Sequence, residues 1–350
     1  MNKRCTTHRG SWQRGLWSPK SLSGFTLIEL MIAMLLGLVV IGGVISVFLA
    51  NQQVYRTNEA LGDVQDGSRN AFELMAQDIR NAGLTGCDSS STGNVITVLK
   101  NSPGGGGTTW WANWNNALIG YRGTVDPALT VGTAATNQVA GTDSLELIGA
   151  TDAGLSVFSH STATTLFTLN ETSPDLTSGD ALIVCDPQFA AIFQSTSYSA
   201  TAKTVGYNTL TSTPGNYSNI LATTGIPYTF GANALIAKLT AVDWYIGNSP
   251  VVSPPVVGGR SLYRVRLFNN GGALSTTIDE MVRNVTSMNI SYLQSGNSSF
   301  QPPSGITNWP AVTTVQVQLT LQSTDQHAGT DVLPLTRVFT ATTTARNRVN

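Results

Sequence analysis

Charge is scarce in this 350-residue chain. Asp, Glu, Lys and Arg make up 11% of it, against roughly 25% in ordinary globular proteins. Histidine is scarcer still, with three residues, and cysteine also numbers three. The net charge of -1 argues against general nucleic-acid binding, which needs a basic surface. There is no His-Glu-x-x-His helix, no Gly-x-Ser-x-Gly elbow and no nucleotide P-loop. The run Gly104–Gly107 lacks the Lys-Ser/Thr that a phosphate cradle requires. His160 and His327 lie in polar, Ser/Thr-rich settings and read as surface residues. Asp143, Asp152, Asp180 and Asp186 are scattered, without the spacing of a calcium loop, and read as turn formers. No catalytic residue, metal site or cofactor is expected.

Against this background one segment stands out. Phe25 to Ala50 is a run of 26 mostly apolar residues with a single charge, Glu29. As a helix it extends about 39 Å at 1.5 Å per residue, long enough to cross a bilayer with tilt. Five basic residues (Lys3, Arg4, Arg9, Arg14 and Lys20) and no acid precede it. That asymmetry keeps the leader cytoplasmic and exports the rest. After Phe25, 14 basic groups face 20 acidic ones, so the exported part is mildly acidic. A secretory signal has a shorter apolar core and a small-residue exit site, which Phe48-Leu49-Ala50 does not supply. A plain anchor fits the length but leaves Gly24 and Glu29 unexplained. A carboxylate in a membrane helix costs about 2.5–3.5 kcal/mol at the bilayer centre, so Glu29 reads as a group awaiting a partner.

Gly24-Phe25-Thr26-Leu27-Ile28-Glu29-Leu30 resembles the cleavage motif of type IV prepilins and type II secretion pseudopilins. The resemblance implies that a prepilin peptidase cuts between Gly24 and Phe25. It further implies N-methylation of Phe25 and a role for Glu29 in filament assembly. Gly37, Gly42 and Gly43 within the run suit either close helix packing or local melting in a filament.

From Asn51 the pattern becomes amphipathic. Val54, Leu61, Val64, Phe72, Met75 and Ile79 alternate with charged residues at helical spacing. Arg80-Asn81-Ala82-Gly83 supplies stop signals. The expected layout is a leader over 1–24, a membrane half of the helix over 25–50, an amphipathic half over 51–83 and a head over 84–350. The head reads as antiparallel and β-rich, giving an α+β, type IV pilin-like fold. Strands are expected at Val95–Leu99, Ser144–Ile148, Ala181–Cys185, Ala190–Phe193, Leu235–Ile246, Ser261–Phe268, Ser287–Leu293, Val312–Leu321 and Leu335–Thr343. Ile278–Val285 reads as a short helix. Ser102–Gly107 and Asn248–Gly259 read as flexible loops. Cys5 falls in the leader. Cys87 and Cys185 remain, either as a disulfide in an oxidising compartment or as two buried thiols. Trp110, Trp111 and Trp114 form either a contact surface for a partner or a lid over the core.

Three further segments resemble PilW-type minor pilins of the type IVa pilus: Asp78–Cys87, Asp180–Phe193 and Arg337–Arg348. That resemblance implies a low-abundance, non-enzymatic subunit that primes pilus assembly and lies towards the tip. The implied partners are the prepilin peptidase, other minor pilins, the major pilin, the inner-membrane assembly platform and a large tip adhesin. The implied locations are the inner membrane, with the head in the periplasm, and then the pilus. Twitching motility and cell adhesion are the processes such a pilus serves. A type II secretion pseudopilin, or an adhesin using the Trp-rich loop, is the competing reading.

Overall fold

A computed structural model describes residues 24–87, 95–122, 126–151, 154–209, 214–222, 225–250, 259–329, 331 and 333–346. The leader and Cys5 lie outside the described residues. The chain divides into two units, residues 1–54 and 55–350. One helix, α1, runs Leu27–Asn81.

In the first unit α1 is long and apolar enough to cross a membrane. Its large side chains are exposed, from Leu27 to Leu49. Gly37, Gly42 and Gly43 have no other atoms within reach of an added Cβ. This surface is unsuited to water, because contiguous apolar area of such length is costly to hydrate.

The second unit is a mostly antiparallel β body with the remainder of α1 on it. Ala60, Val64, Ser68, Ala71, Met75 and Ile79 are buried, a stripe spaced by three or four residues. Leu61 and Phe72 are only partly buried, and Val54 is 58% exposed. Val64, Met75 and Ile79 of the expected stripe are buried, and the small Ala60, Ser68 and Ala71 complete it in place of Val54, Leu61 and Phe72. Gly67 lies close to the sheet: a Cβ there would lie 3.3 Å from Leu321 Cδ2.

Fifteen strands are described. They are β1 (Val95–Thr97), β2 (Leu118–Tyr121), β3 (Ser144–Ala150), β4 (Leu155–Ser161), β5 (Leu166–Leu169), β6 (Ala181–Cys185), β7 (Ala190–Gln194), β8 (Ser197–Ser199), β9 (Thr204–Gly206), β10 (Leu235–Asn248), β11 (Arg260–Asn270), β12 (Ala273–Arg283), β13 (Val285–Gln294), β14 (Val312–Gln322) and β15 (Thr336–Thr344). β10 is the organiser. Its start pairs with β4 and β6, and its continuation with β3 and β11. Strands β13, β14 and β15 form a separate antiparallel sheet. Among the described strands only β1 and β7 pair in parallel.

Ile278–Val285 is not helical. Most of it lies in β12, which hairpins onto β11. The turn explains this: Gly271 and Gly272 take φ of 61° and 101°, and Asn269 Oδ1 accepts the Gly272 N–H at 2.7 Å. The β-branched Thr276, Thr277 and Ile278 then extend readily. Ser102–Gly107 is also more ordered than its glycines suggest. Ser102 Oγ caps a 3₁₀ turn by accepting the Gly105 N–H at 3.3 Å. Residues 251–258 of the second expected loop lie outside the described set.

Three cores result. The helical stripe packs with Leu145, Trp244, Ile290, Val315 and Leu319. The opposite sheet face carries Ile148, Ile183, Cys185, Tyr245 and the tryptophans. A third cluster surrounds Phe167, Phe193, Tyr207 and Phe230. The end of α1 is tied to β3: the Gly83 N–H donates to the Ile148 carbonyl at 2.8 Å. A Cβ at Gly149 would overlap the Asn81 carbonyl oxygen. Gly149→Ala must move the helix end off β3, and should destabilise the body by about 1–3 kcal/mol. A lower denaturation midpoint at unchanged m would show this, and an unaltered midpoint would refute it.

Candidate functional site: the start of the apolar helix

Gly24, Phe25 and Thr26 precede the first helical residue, Leu27. Phe25 is 86% exposed, so the Gly24–Phe25 bond lies in open, non-helical chain. Thr26 stands at the N-cap. Its Oγ1 accepts the Glu29 N–H at 3.3 Å. The Glu29 carboxylate in turn accepts the Thr26 N–H at 3.4 Å and the Thr26 hydroxyl at 3.3 Å. This is a reciprocal capping box, which satisfies two otherwise orphaned backbone donors. A carboxylate in the first turn also gains about 0.3–1 kcal/mol from the helix dipole. Glu29 is thus fixed next to the position where cleavage after Gly24 would create an amine. The pattern Thr-x-x-Glu before an apolar run was the sequence signal for this cap. It was overshadowed by the reading of Glu29 as a partnerless group.

Cys87 and Cys185 are joined in a disulfide across 98 positions, with their Cα atoms 5.9 Å apart. The bridge ties the segment after α1 to the end of β6. The tryptophans sit in 3₁₀ turns. Trp110, Trp111 and Trp114 are 9%, 6% and 8% exposed. They pack among Leu99, Ala150 and Ala237 in the second core. Their burial supports the core role and leaves little ring surface for a partner.

The acids are less uniform than the sequence implies. Asp186 is a turn former, accepting the Gln188 and Phe189 N–H groups at 2.9 Å each. Asp180 accepts the Thr177 N–H at 2.8 Å and also pairs with Lys238 at 3.0 Å. Asp143 departs from the expectation. It is fully buried, accepts Arg122 Nε at 2.7 Å and the Ile290 N–H at 2.7 Å, and so joins β13 to the β2–β3 edge. Asp152 lies outside the described residues. Among the described residues no group of three or more His, Cys, Asp or Glu is placed to hold a metal ion.

His160 also differs from its expected surface role. Its ring stacks on Phe167 with centroids 4.1 Å apart. Nδ1 accepts the Phe230 N–H at 3.1 Å, and Nε2 lies 2.6 Å from the Tyr207 hydroxyl. With Nδ1 accepting, the neutral ring carries its proton on Nε2. Burial among these rings pushes its pKa down to about 4 from 6.5. The alternation of β4 put His160 opposite Phe167 on β5, a pairing that no local pattern announced.

Residues 20–45 match the family model of the prokaryotic N-terminal methylation motif. No curated protein and no solved structure matches the chain. The match spans only the N-terminal signature. It supports a type IV pilin-like or pseudopilin-like protein, processed by prepilin peptidase and assembled with other pilins. The exposed apolar helix and the large β-rich body agree with that class.

Two outcomes follow from this geometry. Replacing both Cys87 and Cys185 with serine should destabilise the body by about 4 kcal/mol in the chain-entropy model; an unchanged unfolding midpoint would contradict it. The unfolded His160 ring binds a proton near 6.5 and the folded ring only near 4. Protonation therefore favours the unfolded chain, and stability should fall as pH drops from 6.5 to 4. His160→Phe should flatten this slope in thermal melts; an undiminished slope would assign it to other groups.

Proposed function

We propose that this chain is a structural, non-enzymatic minor pilin of the PilW type. It joins other minor pilins to prime assembly of a type IV pilus and takes a place towards the tip. The observation that carries the reading is the capped Thr26–Glu29 start of an exposed apolar helix, directly after Gly24–Phe25. After cleavage and methylation, the Phe25 amine and the Glu29 carboxylate carry opposite charges at one end of this helix. When apolar helices pack side by side, a neighbour's amine neutralises Glu29 where neither charge can be hydrated. Such a pair is strongly destabilised if one member is lost, because the other remains buried and charged. The size of the body and the Cys87–Cys185 bridge support a minor pilin over a smaller-headed pseudopilin.

The proposed orientation puts the leader in the cytoplasm and the body in the periplasm, where an oxidising environment maintains the disulfide. Glu29→Ala should leave peptidase processing intact but deplete the protein from sheared pili by tenfold or more. Immunoblots of membranes and of sheared filaments measure the two effects separately. Wild-type amounts of the variant in filaments would overturn the assembly role. Failure of the wild-type chain to be cleaved by a prepilin peptidase would overturn the class.

A further inference from the structure

The body buries three carboxyl groups around one seam. Asp126, Glu146 and Asp243 are 1%, 3% and 0% exposed. Glu146 on β3 lies directly opposite Asp243 on β10 in the antiparallel ladder. Alternation places both on the sheet face away from Trp244. Like charges directly opposite each other destabilise a ladder, and burial makes each charge more costly still.

The surroundings satisfy both oxygens of one member only. Asp126 Oδ1 accepts the Ala128 N–H at 2.8 Å, and its other oxygen accepts the Ser144 hydroxyl. Glu146 Oε2 accepts the Tyr121 hydroxyl at 3.0 Å. Among the described residues Glu146 Oε1 and both oxygens of Asp243 make no hydrogen bond when all three groups are ionised, and only the Leu145 N–H faces Asp243. Among the described residues no cation pairs with any of the three. Arg122, on the segment after β2, is engaged by Asp143. The remaining titratable groups facing the seam are the hydroxyls of Tyr121, Tyr245 and Tyr292. The Tyr245 hydroxyl is donated to the Thr136 carbonyl at 2.7 Å.

We infer that Glu146 and Asp243 hold protons at neutral pH and donate them to ionised Asp126, so that the β2–β3–β10 seam is a proton-dependent latch. Protonation turns two of the three orphaned acceptors into donors and leaves one neutral Asp243 oxygen as an acceptor, which costs far less to bury than a charged one. Desolvation pushes all three carboxyls up; Glu146 reaches about 9, and Asp243 rises well above the ordinary range. The Ala128 N–H and the Ser144 hydroxyl, one on each Asp126 oxygen, mark Asp126 as the anion. The sign of the linkage is fixed by this. The folded Glu146 carboxyl keeps its proton up to about 9, whereas the unfolded one loses it near 4.5. Stability from the nest is therefore complete below 4.5 and is lost as pH rises through 9. Between 4.5 and 6.5 this change runs opposite in sign to the acid-side loss assigned to His160, so the latch is read above 6.5.

The test uses the full chain in detergent micelles. Infrared spectra should contain a protonated-carboxyl band at pH 7 that disappears above pH 9. Glu146→Gln keeps a donor in place of the acid and should remove part of that band. It should also raise the thermal midpoint at pH 9 and flatten the decline between pH 6 and 9. Asp243→Asn is the second variant, and should act in the same direction if Glu146→Gln does not fold. Asp78→Asn is the control, since burial also raises Asp78; it should leave the alkaline slope as it is. Absence of the band from the wild type at pH 7 would overturn the latch. So would a band and slope that persist in both Glu146→Gln and Asp243→Asn, or a slope removed by Asp78→Asn alone.

Discussion

The last turns of α1 lie so close to β3 that residue 149 has no room for a side chain. That contact governs the rest of the body. It favours a small residue, Ala71, in the buried stripe nearby. It places Asp78 where it accepts the Trp244 indole N–H at 2.9 Å and sits 3.6 Å from Arg264. It lets Gly83, in the left-handed region at φ 76°, turn the chain off the helix and onto Ile148. The disulfide follows within a few residues and secures that exit to β6. Helix, sheet and crosslink thus share one corner.

The start of α1 is governed by a different constraint. Among the described residues of the first unit nothing covers its apolar side chains, so such a surface needs lipid or neighbouring helices around it. A helix in such surroundings cannot leave its first amide groups without acceptors. The Thr26–Glu29 box answers this locally, while it keeps the carboxylate at the same end as Phe25. In the proposed assembly one side chain would serve helix initiation and also meet an intermolecular charge. Those two roles would explain why a charge stands where apolar residues otherwise continue without a break.

Much of this organisation was legible in the sequence. Gly24–Leu30, the long apolar run and the alternating residues of β14 each express a local rule strongly. The unread features are those set by neighbours distant in the chain. Ala60 and Ala71 carry little hydrophobic signal; Ala71 is buried because the sheet is near, and Ala60 because Ala328 and Leu335 cover it. Ile278–Val285 has helix-compatible spacing, but the Gly271-Gly272 turn and pairing to β11 extend it. Strands β2, β4, β5, β8 and β9 are short and polar at several positions, so they lacked a periodic pattern of their own. His160 took its meaning from Phe167 and Tyr207, and Glu146 from a residue 97 positions later. The Thr26–Glu29 cap was different, since its signal was local and present.

The low charge content gains a structural sense from where the acids lie. Asp78 joins the helix to β10 and β11, and Asp143 joins β13 to the edge of β2. Asp180 joins β10 to a turn that also receives Asn269 from the β11–β12 hairpin. Each stands at a junction between elements that apolar packing alone would leave free to slide. Buried pairs contribute little net stability, since desolvation offsets attraction. They do penalise any register in which one partner is left alone. The Asp126–Glu146–Asp243 seam extends the same logic with protons in place of a basic partner. A chain rich in Ser, Thr, Asn and Gly can remain weakly charged outside, while a few buried acids select one arrangement of the sheets.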